Sequence, residues 1–116
     1  MASSRDLERE NTRLRVMRLI AEDPMVTTRQ IAAVLGISHG SAYYVLSALV
    51  KKGFVKLGNF TRNRKKGQYA YLLTPSGIRE KTMLTQNFIV RKRREYEDMK
   101  TEIETLEREL ELSRNV

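Results

Sequence analysis

The sequence predicts a mainly α chain with a small β-hairpin, and three observations carry that prediction. Apolar residues recur at helical spacing in three short N-terminal segments that end at Asp23-Pro24, Gly36 and Gly53. Further on, Tyr69, Tyr71 and Leu73 alternate with Ala70 and Leu72, the period-two pattern of a strand. After Pro75 only Gly77 breaks a run free of proline and glycine as far as Ser113, so one helix of up to 39 residues spans 75–113. That helix is roughly 58 Å long at about 1.5 Å per residue.

Taken in order, Leu14, Met17, Ile20 and Ala21 mark a first amphipathic helix that begins between Arg5 and Arg13 and stops at Glu22-Asp23-Pro24. Met25 and Val26 leave room for a strand of one or two residues at most. In Thr27-Thr28-Arg29-Gln30, the Thr27 hydroxyl can accept from the Gln30 amide while the Gln30 side chain reaches back, so a second helix starts there. Its apolar face is Ile31, Val34 and Leu35. Gly36 followed by Ile37 ends it after about two turns, with glycine taking the left-handed conformation.

Ser38 caps a third helix, which runs to Gly53 and should bury Ala42, Val45, Leu46 and Leu49. Two helices separated only by Gly-Ile-Ser form a helix-turn-helix. Residues 54–60 and 68–74 read as the strands of a hairpin with a polar, basic tip over 61–67. Thr74-Pro75 then starts the long helix, since threonine caps and proline is tolerated at the first helical position. The order is that of a winged helix-turn-helix with a long C-terminal helix. The expected division is a DNA-binding domain over 1–74 and a dimerisation helix over 75–116.

The long helix exceeds what the preceding residues can cover. Ile78, Leu84 and Phe88 are expected to fold back on the domain. Beyond them Ile89, Lys92, Tyr96, Met99, Ile103, Leu106 and Leu110 follow the 3,4 spacing of a coiled-coil seam of about three heptads. Attractive pairs at i,i+4, Arg91 with Glu95, Arg93 with Glu97, Arg94 with Asp98 and Glu104 with Arg108, support the helix. A homodimer through Ile89, Tyr96, Met99, Ile103, Leu106 and Leu110 is therefore expected. Its strand orientation is left open, because parallel and antiparallel pairings both bring glutamates together.

Several function classes are disfavoured. Without cysteine there is no disulfide framework, thiolate nucleophile or cysteine zinc site, and His39 is the only histidine, so no metal site and no cofactor are expected. No nucleophile, base and orienting group can be assembled, which argues against an enzyme. The longest stretch without polar side chains, residues 31–37, falls far short of the roughly 18 to 20 needed to cross a bilayer, and the N-terminus is charged. A cytoplasmic location without a membrane partner is the expectation.

Charge location is more telling than the net +8. Residues 24–92 hold twelve basic side chains and one acid, Glu80, a net +11. Residues 1–23 balance at zero and residues 93–116 carry −3. The middle of the chain is built to meet a polyanion. No acid occurs between Asp23 and Glu80, and the outward face of the third helix is small, polar and aromatic: Gly40, Ser41, Tyr43, Tyr44, Ser47, with Lys51 at its end. Such side chains allow a helix to approach the floor of a major groove. Ser38 and His39 belong to the same surface as phosphate or groove contacts, as do Thr28 and Arg29 at the start of the second helix.

Arg62, Arg64, Lys65 and Lys66 at the hairpin tip are suited to phosphates or a narrow minor groove. The strongest base readers, Arg or Lys on guanine and Asn or Gln on adenine, are missing from residues 39–50, so modest direct readout supplemented by duplex shape is expected. The partner is thus double-stranded DNA. A loosely specific architectural DNA-binding protein is the alternative, followed by a winged-helix module for protein partners.

The run TTRQIAAVLGISHGSAYYVLSALVKKGFVKLGNF over residues 27–60, followed by YAYLLTPSGIREKTMLTQNFIVRKRREYEDMKTEIETL over 69–106, resembles the MarR-type regulators associated with exopolysaccharide (EPS) gene clusters. The resemblance covers about residues 14–110, and its second block is the more specific. It implies a bacterial, nucleoid-associated transcription regulator that binds operator DNA as a homodimer, with residues 38–51 as recognition helix and 62–66 as wing tip. Larger MarR proteins dimerise through helices at both ends that frame an effector pocket. The short N-terminal segment here leaves a small-molecule effector doubtful.

Overall fold

A computed structural model describes residues 3–58 and 70–115. The elements run α1 (Ser4–Glu22), α2 (Thr28–Leu35), α3 (His39–Lys51), β1 (Val55–Gly58), β2 (Ala70–Leu73) and α4 (Pro75–Arg114). The fold is the expected one: mostly helical, with a helix-turn-helix, an antiparallel hairpin and a long last helix. The chain divides into two compact units, Met1–Thr85 and Gln86–Val116, so the first turns of α4 belong to the first unit.

Helix α1 starts earlier than expected, because Ser3 provides a capping box with Asp6: the Asp6 amide donates to Ser3 Oγ at 3.2 Å and the Ser3 amide to Asp6 Oδ2 at 3.3 Å. Its buried stripe is Leu14, Val16, Met17 and Ile20, while Ala21 is exposed. Val16 joins the stripe because α2, α3 and β2 all pack on α1, which widens its buried arc.

The residues after α1 turn rather than form a strand. Pro24 and Met25 lie in the turn, and the Tyr71 amide of β2 donates to the Pro24 carbonyl at 2.8 Å, which ties the hairpin to the end of α1.

The cap of α2 is as the sequence implies, with the Gln30 amide on Thr27 Oγ1 (3.1 Å) and the Thr27 amide on Gln30 Oε1 (2.9 Å). Gly36 closes the helix at φ 69°, the left-handed region where a side chain is strained. Val34 departs from expectation: it is 56% exposed, and Ile31 and Ala32 are the buried pair. At about 100° per residue, Ile31, Leu35 and Ala32 span one arc and Val34 falls off its edge.

Leu46, Leu49 and Ala42 of α3 are buried and Val45 is half-buried. Together with Met17, Ile20, Ile31, Val55, Ala70 and Leu84 they form the core. The hairpin pairs Val55 with Leu73 and Gly58 with Ala70.

Where the hairpin meets α4, the joint is built from backbone groups and the Thr74 hydroxyl. The Thr74 amide donates to the Phe54 carbonyl at 3.0 Å and its hydroxyl to the Gly53 carbonyl at 2.5 Å, while the same hydroxyl accepts from the Gly77 amide at 3.0 Å. Gly77 is buried so close to Phe54 that a Cβ there would overlap the Phe54 carbonyl. Leu84, a further two turns along, is buried; Ile78, expected to be, is 55% exposed, because the first turn of α4 presents Gly77 rather than its neighbour to the domain.

Candidate nucleic-acid interface

The axes of α2 and α3 bend by 113°, the angle range of a helix-turn-helix. The turn is held by the Ile37 amide on the Ala32 carbonyl (3.1 Å) and by Ser38, whose Oγ accepts from the Ser41 amide at 3.1 Å. Ser38 Oγ also donates to Ser41 Oγ at 2.9 Å, which leaves the Ser41 hydroxyl proton available to a further acceptor. Cap and first turn are thereby rigid, and His39, Gly40 and Ser41 stand exposed at the leading end of α3.

Along the helix Tyr43 is 62% and Tyr44 76% exposed, and Lys51 is exposed at the far end. Ser47 is half-buried, so it is less outward than the helical wheel implies. Arg29 is exposed and Thr28 half-buried at the start of α2. The structure thus brings Arg29, Ser38, His39, Gly40, Ser41, Tyr43, Tyr44 and Lys51 to the surface of the helix-turn-helix. Arg62, Arg64, Lys65 and Lys66 lie outside the described residues.

One feature of this surface escapes a count of charges. A groove of about 430 Å³ between α1 and α3 is lined by Arg5, Arg9 and Arg13 together with Thr12, Tyr44 and Lys52. Arg5, Arg9 and Arg13 are spaced i,i+4 and so share one helix face, whereas their balancing acids are distributed around the helix; only Glu8 of those acids reaches the groove. Arg13 Nε is buried there without a hydrogen-bond partner. Helical spacing, not net charge, is the signal that finds this edge.

Among the described residues no group of His, Asp and Glu could hold a metal ion, and no single helix is long and apolar enough to cross a membrane.

Residues 9–56 match the model of the winged helix-turn-helix DNA-binding family. No curated protein matches the chain in sequence. Among solved structures, a MarR/EmrR family transcriptional regulator from Acinetobacter sp. ADP1 superposes with a TM-score of 0.64 at 17% identity over 74% of this chain and 59% of that one. The fold is MarR-like. The PcaV transcriptional regulator from Streptomyces coelicolor gives 0.61 at 14% identity, over 90% of this chain and 79% of that one. ZitR of Lactococcus lactis, solved in complex with DNA, gives 0.58 at 19% identity over 76% and 57%. The chain thus spans little more than half the length of two of these MarR-like structures.

In the second unit, Ile89, Tyr96, Met99, Ile103, Leu106 and Leu110 are all between 45% and 60% exposed. The Glu95 carboxylate meets Lys92 Nζ at 3.1 Å. Lys92 Nζ and Arg91 Cζ lie 5.3 and 6.0 Å from the centre of the Phe88 ring, which is cation–π distance.

Proposed function

We propose that the chain is a DNA-binding transcription regulator that acts on operator DNA as a homodimer, with α3 in the major groove and the basic hairpin tip on the adjacent backbone or minor groove. The observation that carries this reading is the outer face of α3. On a winged helix-turn-helix it presents hydroxyls and small side chains in a stretch of sequence that has no acid between Asp23 and Glu80. Phosphates can approach it without repulsion.

Within the MarR-like regulators, the exopolysaccharide-associated group is the one that residues 27–60 and 69–106 resemble. The functional division is a DNA-binding part over 1–74 and a dimerisation helix over 75–116. In this reading the protein works in the bacterial cytoplasm at the nucleoid, catalyses no reaction and needs no cofactor.

Selection of bound sites from random duplexes tests it. A recovered sequence with two related half-sites about one helical turn apart is expected from a dimer that reads DNA. Recovery of bound duplexes with no common sequence indicates an architectural protein, and no retention of duplex at all overturns the reading.

A further inference from the structure

With Ile89 taken as the first position of a heptad, Ile89, Tyr96, Ile103 and Leu110 occupy a, and Lys92, Met99 and Leu106 occupy d. All are on a helix whose exposed side chains have no cover within their own unit. We infer that two copies of α4 pair through this stripe as a parallel, in-register coiled coil. The inference rests on the homodimer reading above and adds the orientation.

The flanking charges decide it. The g positions are Glu95, Glu102 and Glu109. In an antiparallel pair g faces g and e faces e, so every contact among Glu95, Glu102 and Glu109 opposes two glutamates, while the e contacts among Arg93, Lys100, Glu107 and Arg114 are of mixed sign. In a parallel pair each g faces the e position of the next heptad. Glu95 then meets Lys100 and Glu109 meets Arg114, and only Glu102 opposite Glu107 is repulsive. Two attractive contacts against one repulsive, each doubled by symmetry, favour the parallel arrangement.

The seam agrees. Ile at two a positions with Leu106 at d is the pattern that gives a parallel coil two strands rather than three or four. The one charged seam residue, Lys92, would face its own copy, and Glu95, at a flanking g position, already holds its ammonium at 3.1 Å. That pair is exposed and costs little to rearrange, so one Glu95 oxygen can hold Lys92 while the other takes Lys100 of the second copy.

Because the chain has no cysteine, single-cysteine variants read the orientation directly. Leu106→Cys is expected to form a covalent dimer with itself under glutathione disulfide, since d meets d only in the parallel coil. When mixed with a size-tagged Tyr96→Cys chain it should give like-with-like cross-links and almost no mixed ones. Mixed cross-links without self-cross-links, in a chain that still sediments as a dimer before oxidation, overturn the orientation and leave the homodimer standing. A wild-type chain that sediments as a monomer at micromolar concentration overturns both. As a second measurement, Glu102→Lys should turn the one repulsive contact into an attractive one and tighten the dimer roughly ten-fold at low salt. An unchanged or weaker dimer counts against the parallel register.

Discussion

The two units of this chain treat apolar surface in opposite ways. In the first, Met17, Ile20, Ile31, Leu49 and Leu84 are almost wholly removed from water by neighbours in the same chain. In the second, no described side chain is buried, and the apolar residues form a regular exposed stripe from Ile89 to Leu110. One unit carries its stability within itself, whereas the other presents an apolar surface that its own residues leave uncovered. A helix of this length with so little cover is marginal on its own, and a partner helix is what its pattern of side chains implies.

The sharpest way to break that contrast is to remove one side of it. A chain ending at Val90 keeps the whole first unit and loses the seam from Lys92 to Leu110. It should remain folded, sediment as a monomer, and bind a two-half-site duplex on the order of 10² to 10³ times more weakly, since the second half-site is no longer held at high effective concentration. Sedimentation and titration of the truncated chain check this; a truncated chain that stays dimeric would place the interface elsewhere.

A second test compares a core leucine with a seam leucine. Leu49→Ala should cost roughly 2–5 kcal/mol, by an amount independent of protein concentration. Leu106→Ala should lower the melting temperature of the second unit by an amount that depends on concentration, because its burial is intermolecular. Thermal melts over a hundred-fold concentration range separate the two, and equal behaviour of both variants would erase the distinction. On the joint between hairpin and helix, Gly77→Ala should cost roughly 2–3 kcal/mol, because a methyl group must displace the Phe54 carbonyl.

Much of this architecture is legible from short local signals. The Thr27–Gln30 capping box, the Gly36 and Ser38 turn, and Thr74-Pro75 are side chain–backbone arrangements within four residues, and such arrangements survive tertiary packing. What sequence leaves open depends on the neighbours an element meets. Val34 and Ile78 are apolar and at plausible helical positions, yet are exposed because the arc that packs is narrower than the apolar arc. Ser47 turns partly inward for the same reason. The arginine edge of α1 is hidden from a sum of charges because such a sum discards their spacing.

The electrostatic side of the comparison is tested at the hairpin tip. Replacing Arg62, Arg64, Lys65 and Lys66 by Ala should weaken binding to all duplexes by similar factors. For every phosphate that a removed cation no longer neutralises, the log–log salt dependence should flatten by about 0.9. Titrations at several salt concentrations check this, and an unchanged slope would show that the tip does not touch DNA. The smallest effects are expected on α3. Tyr44→Ala and Ser47→Ala should each weaken operator binding by about 1 kcal/mol or less, with Tyr44 the larger, since single hydroxyl contacts read bases weakly. Parallel titration of operator and scrambled duplex should give a ratio near the low end of the usual range, about 10³. A ratio above about 10⁵, abolished by one substitution in α3, would reveal a strong base-reading contact.

The joint at Gly53, Phe54, Thr74 and Gly77 also bears on how such a protein can diversify. It closes the hairpin with a backbone bond from Thr74 to Phe54 and a bond from the Thr74 hydroxyl to the Gly53 carbonyl, and neither bond involves the stretch between the strands. The tip can therefore change length or composition while both of its ends stay anchored, and doubling a loop costs only about 0.6 kcal/mol in closure entropy. Descendants of one ancestral chain could acquire new DNA contacts there by insertion, with the core and the start of α4 left as they are.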